Sequence, residues 1–338
     1  MIHVGVDLHQ RFCYMTAMSA RGKIVQAGPV SNEAGALRRW FGQFKQQPVQ
    51  VAVEACGFWP AFREVVEPRV KRLVLVHPQR VKAIASAKLK NDRVDSATLA
   101  HLLRCDLLPE SWMADRETQA RRQQVRLRAT LVRQRTRLKN QVHAVLHQQG
   151  LRSPVTDLFG RRGRQWLATV KLPGQARESV NVCCRLIDNY GMEIEKQNLQ
   201  LREKARGDER VRWLLTIPGI GEYSAMLLLA EIGDIGIFGD KQALCSYAGL
   251  VPRVRESAGK AARGGITRHG SPWLRWIMVE AAQVAVRSSP AARGYFQRMT
   301  RKKHRHVARV ALARKLLCAV YALLHDGVAF AEDQFAAV

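Results

Sequence analysis

The sequence predicts an α/β domain at the N-terminus followed by a mainly α-helical remainder. Three observations carry that expectation. Short apolar runs of strand type are confined to the first 110 or so residues. Residues 117–149 then contain neither Gly nor Pro. Beyond them apolar residues recur at helical spacing almost to the C-terminus, broken by a Gly/Arg-rich stretch at 252–272.

Within the first part, strands are expected at 2–7, 12–19 and 23–27, separated by Gly/Ser/Arg turns. A helix follows over about 33–46, then a strand over Val49–Glu54. Pro60 suits the first turn of a helix reaching about Glu67. Arg72-Leu-Val-Leu-Val76 reads as a buried strand stopped by His77-Pro78, and a further helix runs from Asp92 through Leu103. The first three strands form an antiparallel meander in this reading, and crossovers add the later ones. In residues 113–205, Leu131, Leu138 and Val145 recur at seven-residue spacing, as do Val180, Ile187, Ile194 and Leu201. Two long helices result, with a broken stretch at 150–176. Their seams serve equally a pair within one chain or a contact between two chains. Residues 206–338 complete a three-part organisation of 1–112, 113–205 and 206–338.

The balance of 55 Lys+Arg against 28 Asp+Glu gives a net charge of +27 on 338 residues, with 47% hydrophobic residues. That combination is a folded polycation, for which nucleic acid is the expected partner. No apolar run reaches membrane-spanning length, so no membrane role is expected. Seven cysteines without a Cys-x-x-Cys pair predict reduced thiols in a cytoplasmic protein, with neither a disulfide framework nor a zinc site. The N-terminus enters a strand at once, with no signal-type segment.

Against that charge, four acids stand out. Asp7 ends the run Ile2-His3-Val4-Gly5-Val6, and Glu54 ends Val49-Gln50-Val51-Ala52-Val53. Asp92 and Asp95 lie three apart at a helix start and so share a face. Strand-end carboxylates joined by a helical pair gather hard oxygen ligands for Mg²⁺, which is the chemistry of metal-dependent phosphodiester cleavage. Asp92 as an N-cap and Asp95 as a first-turn acid is the bland alternative for the helical pair. His9, His77, His143 and His147 form no ligand set in this reading.

A second constellation is Pro252-Arg-Val-Arg-Glu-Ser257-Ala-Gly-Lys260, a serine among small residues and cations. By spacing alone such a serine is more often a turn former than a nucleophile. Ile217-Pro-Gly-Ile-Gly221 between two helices reads either as a helix-hairpin-helix turn gripping phosphate or as an ordinary tight turn. Basic runs at 121–139 and 298–315 lack interleaved acids, which favours a polyanion partner over a merely solvated face.

Val4-Gly-Val-Asp7, Val53-Glu-Ala-Cys-Gly-Phe-Trp59 and Lys90-Asn-Asp-Arg-Val-Asp95 together resemble the Asp-Glu-Asp-Asp transposases of the insertion-sequence-110 family, with which the Piv-type DNA invertases belong. The resemblance continues in order through Ile217–Gly221, Tyr247-Ala-Gly-Leu-Val-Pro252 and Trp273-Leu-Arg275. It implies an α/β RNase H-like (RuvC-like) N-terminal domain, a helical coiled-coil insertion and a mainly α-helical C-terminal transposase domain. It implies that Asp7, Glu54, Asp92 and Asp95 are the catalytic, metal-binding acids, with Mg²⁺ as the ion and Mn²⁺ able to substitute. The family serine that attacks DNA and forms a 5′-phosphoserine link falls on Ser257, with Ala258 standing before the usual Gly; Ser271 is its nearest rival. Asn91 stands where the family usually has Thr, and Ser96 where Ala is common. The implied activity is transposition by a DNA recombinase acting on target and donor DNA, guided by a non-coding bridge RNA, and working as a dimer that grows into a higher assembly on nucleic acid. It would be cytoplasmic, and nucleoid-associated when bound to DNA. A RuvC-like junction nuclease using water, and a non-catalytic nucleic-acid scaffold, are the competing readings.

Overall fold

Alternation of Val4 and Val6 with Gly5 and Asp7 makes Ile2–Leu8 a strand with two different faces, and that strand (β1) organises the first part of the chain. The computed structural model describes residues 1–84, 91–257, 260–327 and 330; the side chains of residue 79 and of residues 254–263 lie outside the described residues. The chain divides into Met1–Met113 and Ala114–Val338.

In Met1–Met113, β2 (Phe12–Ser19) and β3 (Ile24–Ser31) extend β1 as an antiparallel meander. After α1 (Ala34–Gly42), β4 (Val49–Glu54) pairs parallel with β1. After α2 (Trp59–Val66), β5 (Arg72–Val76) pairs parallel with β4. α3 (Pro78–Ile84), α4 (Asp92–Arg104) and the short β6 (Glu110–Ser111) complete a six-stranded mixed sheet of order β3-β2-β1-β4-β5-β6. The expected meander and crossovers are present. β3 runs past the expected end at residue 27 and contains Pro29, which is tolerated because β3 is an edge strand.

The two faces of the sheet have different cores. Leu37, Trp40 and Phe41 of α1 and Phe62 of α2 pack with Val4, Val6 and Val51. Leu99, Leu102 and Leu103 of α4 pack with Ala52 and Val74. At Gly5 the backbone of α4 comes so close that an added Cβ would meet Ser96 O at 2.0 Å and Ala100 N at 2.4 Å. The buried hydroxyls of Thr16 and Ser96 share a hydrogen bond of 2.8 Å beside that contact and fix the rotation of α4 on the sheet. Gly5→Ala is therefore expected to cost roughly 3 kcal/mol of stability and to displace α4, because the obstructing atoms are backbone and cannot move aside alone. A denaturant midpoint near that of the wild type would show that the fold absorbs the methyl group.

In Ala114–Val338, α5 (Arg116–Gln148) and α7 (Gly174–Arg206) are long helices that lie side by side. Gln124 meets Gln200 and Arg128 meets Asn198, while Leu146 clusters with Val180, so the pair is antiparallel. Between them α6 (Arg161–Thr169) occupies the stretch the sequence reads as broken and contributes Leu167 to the same cluster. The α7 seam of Val180, Ile187, Ile194 and Leu201 is buried within this chain. It therefore offers no free apolar edge to a second chain.

The remainder is α8 (Glu209–Leu215), α9 (Glu222–Ile232), α10 (Lys241–Tyr247), the antiparallel hairpin β7 (Pro252–Ser257) and β8 (Lys260–Ile266), and then α11 (Pro272–Ser288), α12 (Pro290–Thr300) and α13 (Arg305–Asp326). Their core is built from Leu214, Leu228, Leu244, Met278, Leu316 and their neighbours, and it also takes in Val125 and Leu201 from the long helices. Among the described residues no helix is long and apolar enough to cross a membrane, and all seven cysteines are free thiols.

Candidate active site

Asp7 and Glu54 reach one end of the sheet by register. β1 and β4 are parallel with Val6 opposite Val53, so each acid is the next residue beyond that pair. Each acid also lies two residues beyond a position packed towards α4, Gly5 in one strand and Ala52 in the other. The alternation of side chains therefore turns both acids to the α4 face. α4 meets them with its first turn. Its N-cap is Asn91, whose side chain accepts from Val94 N at 2.9 Å. The capping role is thus taken, and Asp92 is left to face the sheet end. Asn is among the best capping residues at this position.

Asp7, His9 and Asp92 offer ligand atoms that all lie within 4.8 Å of one another. His9 Nε2 stands 3.3 Å from Asp7 Oδ2 and 3.3 Å from Asp92 Oδ2. Burial pushes the Asp7 carboxyl above the usual carboxylate range; nearby His9 pulls it down, and Asp92 and Asp95 push it up again. Like charges gathered out of water are unfavourable unless something positive joins them. Adjacent ligands on an octahedral dication stand about 3 Å apart, so the spacing of these atoms and the hard donors among them fit a divalent cation. His9, which the sequence places in no ligand set, is folded back over Asp7 by the β1–β2 turn. The Asp7-x-His9 spacing, which puts both on one side of an extended chain, was the available signal.

Ser257 ends β7 and pairs with Lys260, so its backbone lies at the closed end of the hairpin. Its side chain, those of Arg255, Lys260 and Arg263, and residues Ala258 and Gly259 lie outside the described residues. The base of the hairpin is firmly held. Ser271 N donates to Tyr247 O at 2.8 Å, and Thr267 N to Val251 O at 2.9 Å. Gly270 has φ +95°, and a Cβ there would strike Tyr247 O at 2.0 Å, so only glycine fits.

Ser271 itself is a structural residue. Its buried hydroxyl donates to Glu231 Oε2 at 2.9 Å and accepts from Leu274 N at 3.2 Å, capping α11. Glu231 is fully buried and receives Arg126 through two bonds of 2.7 and 3.0 Å. Glu231→Ala strands both partners and is expected to cost roughly 3 kcal/mol. A loss under 1 kcal/mol in chemical denaturation would mean that Ser271 and Arg126 find other partners.

Several cations of the first basic run bond or stack within the chain. Arg122 donates to Ala230 O and Glu231 O near the end of α9, Arg126 holds Glu231, and Arg128 and Arg133 lie over the rings of Tyr223 and Trp273. By contrast Arg298, Arg301, Lys302, Lys303 and Arg305 are exposed, and the sequence between residues 281 and 325 contains no acid. In the turn Ile217–Gly221, Gly219 has φ +86° and would strike Ala281 O with a Cβ at 2.1 Å, so packing on α11 accounts for it. Gly221, the N-cap of α9, faces open space.

Residues 4–150 match the family model described as "Transposase" of the Asp-Glu-Asp-Asp IS110 type, and residues 211–297 match the model described as "Transposase IS116/IS110/IS902 family". A protein from Pseudomonas aeruginosa named "Probable family 20 transposase" is 28% identical over 85% of this chain and 87% of its own length. The transposase for insertion sequence element IS1328 of Yersinia enterocolitica is 29% identical over 84% of this chain and 86% of its own. The transposase for insertion sequence element IS1111A of Coxiella burnetii is 26% identical over 81% and 77%.

Proposed function

The chain belongs to the IS116/IS110/IS902 family of insertion-sequence transposases, and from that premise we propose that it is a bridge-RNA-guided recombinase that breaks and rejoins DNA by transesterification at Ser257. The family acts on DNA, its acidic domain has the RNase H-like α/β fold, and its chemistry is divalent-metal dependent. In the proposed organisation, residues 1–112 are the RuvC-like catalytic domain, 113–205 the helical coiled-coil region and 206–338 the transposase domain that carries the serine.

The observation that carries the reading is the meeting of Asp7 with Asp92 at the sheet end towards which β4 delivers Glu54. Asp7, Glu54, Asp92 and Asp95 would hold the cation, Mg²⁺ or Mn²⁺. When bound, it supplies positive charge at the scissile phosphate and eases deprotonation of an attacking hydroxyl. Ser257 Oγ attacks phosphorus, forming the Oγ–P bond as the bond to the 3′ oxygen breaks. The serine loses its proton and the 3′ oxygen gains one. The reverse attack by a 3′ hydroxyl of the other DNA releases serine and joins the new strands. Two DNA sites and several strands require more than one serine, which supports a dimer that becomes a higher symmetric assembly on nucleic acid. Base pairing with a guide RNA supplies the sequence reading, and the protein contributes phosphate contacts.

The test is incubation of the protein with labelled DNA carrying the element's ends, with and without Mg²⁺ and the RNA transcribed from the element's non-coding flank. A detergent-resistant protein–DNA adduct that needs both is the expected result. Metal-dependent nicking without an adduct would favour the hydrolytic nuclease, and binding without cleavage the scaffold. The phosphate grip has its own test. Replacing Arg301, Lys302, Lys303 and Arg305 together by Ala is expected to weaken binding about tenfold or more across unrelated sequences and to flatten its salt dependence. Replacing Arg122 and Arg126 should chiefly lower stability. Unchanged binding in the fourfold variant would move the grip elsewhere.

A further inference from the structure

We propose that His9 is a nitrogen donor of the acidic centre, and that it biases the centre towards Mn²⁺ and Co²⁺ over Mg²⁺. The inference rests on the reading of Asp7 and Asp92 as metal ligands. His9 Nε2 is equidistant, at 3.3 Å, from one oxygen of each. That nitrogen is covered although the side chain as a whole is 42% exposed, and at these ion-pair distances it makes no hydrogen bond of good geometry to either. A buried polar atom without a hydrogen bond is unfavourable unless something else satisfies it. A cation shared with the two carboxylates would do so.

The placement is built rather than incidental. His9 follows the end of β1 and enters the turn to β2. Asn32, just after β3, reaches across to that turn. Its Nδ2 lies 2.6 Å from His9 O, 3.4 Å from Gln10 O and 3.2 Å from Phe12 O. The Asn32 backbone N–H also donates to Arg11 O at 3.1 Å. On the other side the His9 ring rests on Phe12, with centroids 4.9 Å apart. One asparagine and one aromatic ring therefore hold the imidazole against the acids before any cation arrives. A donor so fixed loses little freedom on binding.

The chemistry sets the direction of the bias. Mg²⁺ prefers oxygen and keeps several of its waters, so an imidazole adds little to its binding. Imidazole binds later first-row dications better, and affinity for nitrogen-containing sites rises from Mn²⁺ to Co²⁺. Asn32 is then a positioning residue, acting only through His9.

The experiment titrates metal-free, full-length protein with Mn²⁺, Co²⁺ and Mg²⁺ in turn by calorimetry, and records the visible absorption of the Co²⁺ form. Wild type is expected to prefer Mn²⁺ and Co²⁺. His9→Ala should lose about tenfold in affinity for both, with Mg²⁺ changed by no more than about twofold. His9→Asn, which keeps a polar group of similar reach, should lose the same preference and shift the Co²⁺ absorption. Asn32→Ala should fall between wild type and His9→Ala. If His9→Ala or a folded His9→Asn binds Mn²⁺ and Co²⁺ as well as wild type or better, the imidazole is no ligand and only balances the carboxylates, and the proposal is overturned. Asp7→Asn separates the premise: its affinity should fall for all three ions, and wild-type affinity in that variant would remove the metal reading itself.

Discussion

Asp7→Asn is expected to lower DNA strand cleavage by about a thousandfold or more, with nucleic-acid affinity nearly unchanged. The substitution keeps the shape of the side chain and removes the charge that would hold a cation beside Asp92. The protein's exposed cations, on which the proposed phosphate grip rests, are untouched. Glu54→Gln should act in the same direction. The variant should also be more stable than wild type. The Asp7 pKa is raised in the folded protein by burial and by Asp92 and Asp95, with His9 opposing. Ionised Asp7 therefore destabilises the metal-free fold above its folded pKa, and that penalty disappears as the pH falls below its unfolded value. At neutral pH, Asn relieves it, and the thermal midpoint should rise by on the order of a few degrees. Added Mn²⁺ should reverse the order, because only the wild type gains from binding. Labelled-strand cleavage on denaturing gels and thermal scans with and without metal provide the readouts. Cleavage at the wild-type rate would remove Asp7 from the site.

Ser257→Ala should abolish the protein–DNA adduct while leaving binding, assembly and metal affinity intact. The loss should be of similar size, because a methyl group offers no atom to replace the attacking oxygen. The serine and the acids belong to different parts of the chain, one in the closed hairpin beyond residue 250, the others within the first 95 residues. In the proposed mechanism, joining them on one phosphate is a step distinct from binding, one that RNA and both DNAs would govern. An adduct formed by the alanine variant would exclude Ser257. Ser271 would then be a poor substitute, because its hydroxyl is already engaged on both sides.

Much of the acidic domain was legible because its errors of pattern are few. A carboxylate that interrupts an apolar alternation has little structural excuse, so Asp7 and Glu54 declared themselves, and the three-residue spacing of Asp92 and Asp95 declared a shared helix face. His9 did not, since its two-residue spacing from Asp7 is a faint signal until the turn that returns it is seen. Pro78 read as a strand stop, and β5 does end at Val76; Pro78 is also the first residue of α3, the helix position where proline does no harm. The hairpin at 252–266 was hidden by its Gly and Arg content, which resembles a loop. Arg122 and Arg126 were read with the rest of their run as facing a polyanion, because a sequence names no internal partners. The lone Glu231 inside Leu227-Leu-Leu-Ala-Glu-Ile232 was the overlooked hint, since an acid in such a setting must be met by a cation. The α7 heptad was read as a seam and is buried, while Leu131, Leu138 and Val145 of α5 are half-buried, and periodicity has no means of stating which helix fills a seam.

The internal arginines give the long helices a mechanical character. A helix of 33 residues is a rod about 50 Å long. Near its start the rod is riveted through Arg122 and Arg126 to the end of α9. Glu231, one of those rivets, also grips Ser271, whose backbone is tied to Tyr247 at the foot of the hairpin. That end of the rod is therefore tied, through Glu231 and Ser271, to the mounting of the segment that ends in Ser257, so a single buried carboxylate joins the long helix to the foot of the hairpin.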